Sequence, residues 1–302
     1  MSTNQPLVSI IMNCYNSDEY LAEAVKSVLN QTYQNWEIIF WDNQSTDESA
    51  NIIKKINNDK IKYFFAPGHT PLGEARNQAI AQCHGEWIAF LDCDDIWSDD
   101  KLSKNFFALE QHPNPEKISL LYNTAHFIKS NGTIFSTTRK AYSGSIHSAL
   151  LLEGNFIVMS SIVIRADILK QVGQINANLK YCEDYDLLLK ITKDYEAIGI
   201  DLPLTAYRVH GNNITTISNR DNLLEVIKLL QSYLANKCYG INMRFWGSVH
   251  SSYYVFLLLK DMLLKRDMHK IPSLISQFPL QIISLPLLLI KKMLSGKTRV
   301  FF

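Results

Sequence analysis

The segment WIAFLDCDD, residues 87–95, places an apolar run directly before three carboxylates. Trp87–Leu91 is predicted to be a buried β-strand because it is short, continuous and apolar. In extended chain, residues i and i+2 point the same way, so Asp92 and Asp94 would direct two carboxylates to one point. Hard oxygen ligands of this kind suit Mg²⁺ or Mn²⁺. The alternative for the same residues is an acidic turn that caps the next helix.

Three more strand-like runs lie upstream, and a helical pattern follows each of them. The strands are Leu7–Met12, Trp36–Trp41 and Ile61–Phe65, and the helices are Tyr20–Asn30, Ser45 to about Ile56, and Glu74–Cys83. Capping boxes at Asn16/Glu19 and Ser45/Glu48 are predicted to open the first two helices, and Gly85 to stop the third. This alternation predicts an α/β fold with a mostly parallel, doubly wound sheet and helices on both faces. Ligands bind such sheets at the carboxyl ends of the strands.

The pattern changes after Asp95. A hairpin is predicted around Asn131-Gly132, because this pair favours a tight turn between strands. The other predicted elements are a helix at Lys101–Gln111, strands at Met159–Arg165 and Leu204–His210, and a helix at Tyr185–Tyr195. From about Asp221 the chain reads as helical and increasingly apolar.

Polar residues at the other strand ends are candidates for nucleotide binding. Asp42 is placed to accept a hydrogen bond from the N–H of a base. Tyr15 offers a flat ring for stacking on a base, and a half-buried tyrosine is the alternative. Ser45 and Asp47 are interpreted instead as a helix cap and as a charge that favours the helix dipole.

Two further sites carry groups suited to catalysis. Asp184 could act as a general base on an alcohol, although N-terminal helix capping explains an Asp there equally well. Alternation along the last strand puts Arg208 and His210 on one face. His210 is a candidate ligand for a metal or a phosphate and Arg208 a candidate partner of phosphate. The alternative for His210 is an internally satisfied polar side chain.

Composition and charge exclude several classes of protein. The chain has 302 residues with 30 basic and 29 acidic side chains, so it lacks the basic excess of nucleic-acid binders. Its five cysteines form no CxxC pair, which favours a reducing compartment over a disulfide framework or a zinc site. The polar N-terminus has no signal-peptide pattern. We therefore expect a cytoplasmic protein, or one peripheral on the cytoplasmic face of a membrane.

The C-terminal region leaves alternatives open. Phe278–Ile290 is apolar but too short and too interrupted for a membrane span. Beyond Asp267 the sequence has no acidic residue, while five basic residues remain: Lys270, Lys291, Lys292, Lys297 and Arg299. An apolar segment with basic flanks suits the surface of an anionic bilayer. Packing on the core, or on a second copy of the chain, is the alternative.

Several segments together resemble the family 2 glycosyltransferases. They are SIIMNCYNSDEYLAEAVKSVLNQTYQNWEIIFWDNQSTDES (9–49), GEARNQAIAQCHGEWIAFLDCDDIW (73–97) and YCEDYDLLLKI (181–191). The motifs occur in the family's order, and the resemblance covers roughly residues 7–215. It implies a GT-A fold over residues 1–215, with a nucleotide-binding part at about 1–98 and an acceptor part at about 99–215. Residues 216–302 would be a helical extension, suited to membrane association or to oligomerisation.

The resemblance also implies a reaction and roles for single residues. A sugar would pass from a nucleotide-sugar donor, most often a UDP-sugar, to a hydroxyl by one inverting displacement that depends on Mn²⁺ or Mg²⁺. The acceptor would be a glycan, a lipid-linked sugar or a protein, and bacterial surface-glycan synthesis the setting. The implied roles are base binding by Tyr15 and Asp42; nucleotide contact by Arg76; binding of ribose, diphosphate and metal by Asp92, Asp94 and the adjacent Asp95; metal binding by His210; and general-base catalysis by Asp184.

The sequence departs from the family at one motif, and two other functions were considered. DDGSTD is usual where this chain has Asp42-Asn43-Gln44-Ser45-Thr46-Asp47. No Q-x-x-R-W motif of processive synthases occurs, so addition of a single sugar is expected. A sugar-nucleotide pyrophosphorylase would need a glycine-rich, basic phosphate cradle after the first strand, which Asn13–Asn16 lacks. A non-catalytic nucleotide-sugar-binding scaffold is disfavoured because Asp92, Asp94 and Asp184 are all present.

Overall fold

The structure is a computed structural model that describes residues 5–138, 140–211, 213, 219–236, 239–264, 267, 270–278 and 281. The chain divides into two compact units. The first comprises Met1–His147 and Phe156–Gly211, and the second Ser148–Asn155 and Asn212–Phe302. Most of the predicted apolar C-terminal stretch and its basic tail lie outside the described residues.

From Val8 to Phe90 the described elements alternate between strand and helix, as predicted, and the pattern changes after that. In chain order they are β1 (Val8–Cys14), α1 (Asp18–Leu29), β2 (Trp36–Asp42), α2 (Ser49–Lys55), β3 (Ile61–Phe65), α3 (Leu72–Ile80), β4 (Trp87–Phe90), β5 (Ile96–Trp97), α4 (Lys101–Glu110), β6 (Ile118–Lys129), β7 (Ile134–Thr137), α5 (His147–Glu153), β8 (Val163–Arg165), α6 (Ala166–Val172), α7 (Glu183–Asp194) and β9 (Glu196–Val209). The second unit contains α5 except for its first residue, together with α8 (Asn219–Leu234), α9 (Ile241–Leu264) and α10 (Ile271–Gln277).

One sheet runs through the first unit, in the order β3-β2-β1-β4-β8-β6-β9-β5, with β7 paired to β6. The four strands from β3 to β4 are parallel, which confirms the prediction for this half. The other half is mixed: β8 is antiparallel to both β4 and β6, whereas β6 and β9 are parallel. β6 therefore runs in the same direction as β4.

The main core lies on one face of the parallel strands. Alternate residues of β1, such as Ile10 and Met12, point to this face and pack with Phe40 of β2. Leu21 and Val25 of α1 close the same cluster. Each such side chain contributes about 1.5–3 kcal/mol when fully buried. This packing fixes where β1, β2 and β4 end, and so where the polar loops begin.

Gly85 does not stop a helix, contrary to the prediction. Helix α3 ends at Ile80, and Gly85 is not among the residues with positive φ. Its backbone N–H donates to Ser9 Oγ at 2.8 Å, and Ser9 Oγ donates to the Glu37 carboxylate at 2.6 Å. Gly85 is required here because the chain passes directly against β1.

Strand β9 is longer than predicted. It begins at Glu196, although the sequence pattern indicated a start at Leu204. Pro203 lies inside the strand, where its pairing with Thr124 adjoins a register shift. Proline is tolerated at such bulges because no ladder hydrogen bond is needed from its nitrogen. The predicted strand at Met159–Arg165 likewise begins with a 3₁₀ turn, Met159–Ser161.

The second unit is helical in its described part, as predicted. Helices α8 and α9 supply most of an apolar cluster. Leu274 of α10 and Phe278, the residue after α10, complete it. Its buried members are Leu223, Ile227, Val255, Leu258, Met262, Leu274 and Phe278. Among the helices that the structure describes, none has the length and apolar character needed to cross a bilayer.

We predict that Gly85→Ala destabilises the first unit. A Cβ at this position would lie 2.5 Å from Ser9 N and 2.7 Å from Leu7 O, and both are backbone atoms that cannot turn away. Overpacking of this kind costs about 1–3 kcal/mol or more in free energy of unfolding, measured by urea denaturation.

Gly68→Ala is the matched control, because no atom lies within 4 Å of its added Cβ. A Gly85→Ala variant as stable as Gly68→Ala would contradict the close approach.

Candidate active site

Arg76 joins the two acidic motifs of the first unit. It lies on α3 and is 4% exposed, with NH1 2.7 Å from Glu183 Oε1 and NH2 3.1 Å from Asp92 Oδ1. Asp92 follows β4, and Glu183 is the first residue of α7. Burial opposes the charge of Arg76, but Asp92, Glu183 and Asp184 outweigh it and raise the pKa of Arg76. One buried guanidinium thus holds the end of β4 beside the start of α7.

The two residues of the Glu183-Asp184 pair are placed differently. Glu183 is buried, and this burial raises the pKa of its carboxyl while Arg76 lowers it. Asp184 is only partly buried, and its Oδ1 accepts a hydrogen bond from Tyr185 N. The N-terminus of α7 favours the charged form of a carboxylate. Asp184 therefore lies close enough to Arg76 to favour its charged form, and its role as a base stays a prediction.

Asp94 and His210 form the second contact of the acidic loop. Asp94 Oδ2 lies 2.9 Å from His210 Nε2. Burial, together with the nearby Asp92, raises the pKa of Asp94, and His210 partly offsets this. The ring of His210 also packs on Tyr20, with centroids 5.5 Å apart. Asp92 and Asp94 are close enough to interact, as their spacing predicts, but each has a different partner.

Arg208 has a structural role, and its interpretation as a phosphate ligand is wrong. It is only 2% exposed, and its guanidinium lies over the Tyr20 ring at 4.3 Å from the centroid. It donates to Glu23 Oε2, to Ser130 O and to Asp94 O, at 2.6, 3.0 and 2.9 Å. A buried group with these partners orients the loop of Asp94 rather than meeting a ligand.

Asp95 anchors the same loop to β9. It is fully buried, and its Oδ1 accepts a hydrogen bond from the backbone N–H of Arg208 at 2.9 Å. Burial and the neighbouring carboxylates raise the pKa of Asp95 well above its ordinary value. The predicted contact of Asp95 with a nucleotide stays a prediction, and the observed role is to tie the acidic loop to β9.

At the end of β1, Tyr15 is accessible to a ligand. Its ring is 50% exposed and packs on His69 with centroids 4.3 Å apart. His69 Nδ1 is 3.0 Å from Asn43 O, which links the loops after β2 and β3. The pair presents two aromatic surfaces at the carboxyl edge of the sheet, where a base would stack.

Asp42 is completely buried at the end of β2. Its Oδ1 accepts from Ser45 N, and its Oδ2 from the Tyr63 hydroxyl, both at 2.7 Å. These bonds shape the loop that follows. The predicted hydrogen bond between Asp42 and a base stays a prediction.

The departures from DDGSTD are accommodated within this loop. Gln44 has φ +73°, the left-handed conformation that glycine adopts freely. Its side-chain amide donates to Ala66 O, which helps to hold a conformation that costs about 1 kcal/mol for most residues. Asn43 bonds Thr70 twice through its amide, to the backbone oxygen and from the backbone nitrogen. The motif's backbone shape is thus kept with different side chains.

The two predicted capping boxes are wrong. α1 begins at Asp18 and α2 at Ser49, and neither N-cap residue makes a side-chain cap bond. Asn16 Oδ1 instead accepts from Thr46 N, and Ser45 Oγ accepts from Asn16 N. These bonds join the loops after β1 and β2. Asp47, rather than Ser45, meets the helix starts, because its carboxylate accepts from Ser49 N and Asp18 N.

The side chains fit a divalent cation at Asp94 and His210. Their facing atoms are 2.9 Å apart, which is about the spacing of adjacent ligands in an octahedral site with bonds of about 2.1 Å. A cation there would also relieve the repulsion between Asp92 and Asp94. Within the described residues no group of three or more His, Cys, Asp or Glu could hold a metal ion. Phosphate oxygens and water, which Mg²⁺ commonly keeps as ligands, would complete the site.

Comparison with known proteins decides the family. The sequence profile described as Glycosyl transferase family 2 matches residues 9–165. The chain belongs to this family. It is a glycosyltransferase that acts on nucleotide sugars. An uncharacterised glycosyltransferase of Methanocaldococcus jannaschii is 31% identical over 271 residues, 85% of this chain and 89% of the relative.

Another relative is the UDP-Glc:α-D-GlcNAc-diphosphoundecaprenol β-1,3-glucosyltransferase WfaP of Escherichia coli. It is 33% identical over 218 residues, 69% of this chain and 80% of the relative. The crystal structure of S. aureus TarS residues 1–349 with UDP-GlcNAc superposes with a TM-score of 0.69 at 19% identity, covering 92% of this chain and 81% of that TarS fragment. This likeness confirms the predicted GT-A fold.

Sequence reasoning missed several residues of this family 2 site. Glu183 belongs to a recognised motif, but its ion pair with Arg76 joins residues 107 positions apart, and no local pattern predicts it. Tyr20 lies at the start of a predicted helix, and no local pattern indicates a role for Tyr20 or His69. The only sequence signal for Tyr20 and His69 is that each is a polar or aromatic residue close to the end of a predicted strand.

We predict that Arg76→Met lowers the free energy of unfolding by about 3–5 kcal/mol, because it leaves buried Glu183 without its cation. Urea denaturation measures the loss. The double variant Arg76→Met/Glu183→Leu should recover part of it, since no charge is then left unpaired at Glu183.

Lys104→Met is the control, since it breaks an exposed ion pair, with Asp100, that should contribute less than about 1 kcal/mol. Equal losses from Arg76→Met and Lys104→Met would show that the buried pair does not stabilise the fold.

Proposed function

We propose that this family 2 glycosyltransferase is metal-dependent and inverting, and adds a single sugar from a UDP-sugar to a hydroxyl of a lipid-linked glycan in bacterial surface-glycan biosynthesis. The observation that carries the proposal is the Arg76 bridge between Asp92 and Glu183. It keeps the motif for the donor diphosphate and the motif for the acceptor base in one site.

The donor diphosphate would lie at the acidic loop. Asp94 and His210 are the residues that would hold Mn²⁺ or Mg²⁺, with Asp92 beside them. A bound cation supplies charge neutralisation to a departing nucleotide diphosphate. Arg208 and Tyr20 keep the Asp94 backbone and the His210 ring in place for this role.

The nucleoside would extend toward Tyr15. Stacking on the exposed Tyr15 ring, beside His69, is available to any base. The assignment of uridine is supported by the UDP-Glc named for WfaP and the UDP-GlcNAc named for the TarS complex. We propose that Asp42 contributes to base recognition by shaping the loop around Asn43, and by hydrogen bonding if that loop adjusts.

Asp184 would take the proton in the transfer step. As the acceptor oxygen forms a bond to the anomeric carbon, the bond from that carbon to the diphosphate oxygen breaks. The hydroxyl proton passes to the Asp184 carboxylate, and the electron pair of the broken bond leaves with UDP. Because attack and departure occur on opposite faces of the sugar, the anomeric configuration inverts. Glu183 is committed to Arg76, so it does not compete for this role.

The acceptor class rests on a named relative. WfaP is named for transfer to GlcNAc-diphosphoundecaprenol, a lipid-linked sugar, and it aligns with 69% of this chain. The absence of Q-x-x-R-W from the sequence supports addition of one sugar rather than polymer synthesis.

The base role predicts that Asp184→Asn reduces kcat by roughly 10²-fold or more, the usual scale for loss of a general base. Donor binding should change little, because the substitution keeps the shape of the side chain. Turnover is followed as UDP release with a lipid-linked acceptor. Asp194→Asn, an exposed residue at the other end of α7, is the control. An Asp184→Asn enzyme with near-normal turnover would exclude Asp184 as the base.

The metal role predicts that UDP binds tightly only when Mn²⁺ or Mg²⁺ is present. Asp94→Ala should weaken this binding by at least about tenfold, the usual scale for disturbing a metal site. Isothermal titration calorimetry measures it, with Asp99→Ala, an exposed acid further along the chain, as the control. Equal UDP affinity with and without metal, in both wild type and Asp94→Ala, would contradict metal dependence.

A further inference from the structure

The β6–β7 hairpin lies beside the acidic loop of the active site. Ile96 of β5, just after this loop, pairs with Ala206 of β9, and Ala206 pairs with His126 of β6. The loop therefore lies level with the last residues of β6. β7 is at the same level, because Ile134 pairs with Ile128.

A buried contact fixes this hairpin to the active-site loop. The Arg208 guanidinium donates to Ser130 O in the hairpin turn at 3.0 Å and to Asp94 O at 2.9 Å. β6 is also paired with β9 along its whole length. The hairpin turn is therefore held beside Asp94, one of the residues proposed to bind the metal.

The hairpin presents apolar side chains to solvent on both of its faces. Ile134 is 54% exposed and Phe135 is 52% exposed. Neighbouring residues of a strand point to opposite faces, so the two side chains cannot both serve one internal contact. Phe135 adjoins Phe127, which in turn contacts Tyr207, with ring centroids 6.4 and 5.6 Å apart. Ile134 and Phe135 are therefore two exposed apolar groups on one element, available for contact with a partner.

The charges within the hairpin segment favour an anionic partner, and Glu23, which lies near the hairpin turn, is paired with Arg208. From Lys117 to Leu152 the sequence contains four basic residues and no acidic one. Lys129 and Lys140, at the two ends of the hairpin, are exposed. Apolar and aromatic side chains with basic neighbours are the composition that binds the surface of an anionic bilayer.

We propose that the β6–β7 hairpin docks the enzyme on an anionic lipid bilayer, with Ile134 and Phe135 entering the interface. This inference rests on the proposed function, in which the acceptor is lipid-linked. The diphosphate of such an acceptor lies at the membrane surface, so docking there would bring the acceptor sugar to the active site. The hairpin consists of residues other than those of the C-terminal segment that the sequence suggested for membrane contact.

Vesicle flotation of the full chain tests the proposal. The vesicles are phosphatidylcholine alone, or an equal mixture of phosphatidylcholine and phosphatidylglycerol. The wild type should float with the mixed vesicles and much less with the neutral ones. Ile134→Ser/Phe135→Ser should lower partition to the mixed vesicles by roughly tenfold, because two apolar anchors are lost.

The matched control is Phe107→Ser/Leu202→Ser, which also replaces two exposed apolar residues, 63% and 44% exposed, and should float like the wild type. Unfolding midpoints show that both variants are folded. UDP calorimetry is a separate readout, and it should be unchanged in both variants, so failure of the donor assignment is distinguishable from failure of docking.

Three results would overturn the proposal. The first is a wild type that does not float with the mixed vesicles. The second is a hairpin variant that floats as well as the wild type, which would assign binding to another segment, or the hairpin to a protein partner. The third is a loss of flotation as large in the control variant as in the hairpin variant.

Discussion

The buried ion pairs of Arg76 are the constraint on which the site depends. Arg76, 4% exposed, meets Asp92 and Glu183, which reach it from the end of β4 and the start of α7. Removing a charge from water is costly unless partners and hydrogen bonds replace the water, so this arrangement tolerates few changes. One guanidinium serves two carboxylates, and Asp184 and Asp94 lie nearby. Carboxyl groups thus outnumber the cations that face them, and under the proposed function a divalent metal ion would offset this.

Arg208 is a second buried arginine with partners inside the protein, on the other side of the acidic loop. It is buried against Tyr20 and bonds the backbone of Asp94, the turn of the hairpin and Glu23. Both arginines are thus engaged by the protein rather than held ready for phosphate. Under the proposed function, phosphate recognition would fall mainly to a metal held by Asp94 and His210. The two arginines explain how loops from four regions of the sequence keep one geometry.

The sequence predicted the parallel half of the sheet well because its strands are continuous apolar runs that end at polar loops. β3 has the predicted bounds, and β1, β2 and β4 differ from prediction by one or two residues at their ends. Asp92, Asp94 and His210 are brought together as their positions suggested. The failures occurred where tertiary partners replaced local ones. Asn16 and Ser45 are residue types typical of helix caps, but each forms hydrogen bonds with the loop that contains the other. Gly85 is needed for its close contact with β1 and does not end α3. The Arg76–Glu183 pair and the inclusion of Pro203 in β9 depend on contacts between distant segments, which periodicity does not record.

A crystal structure of the enzyme with UDP and Mn²⁺ tests the central claim most directly. The account predicts a Mn²⁺ ion bound by Asp94 and His210 and shared with the diphosphate, while Arg76 keeps its contacts with Asp92 and Glu183. Asp184 should remain unbound by the metal and face the position of the donor sugar. The account would be contradicted if Arg76 left Glu183 to bind the diphosphate, or if the metal occupied a site without Asp94.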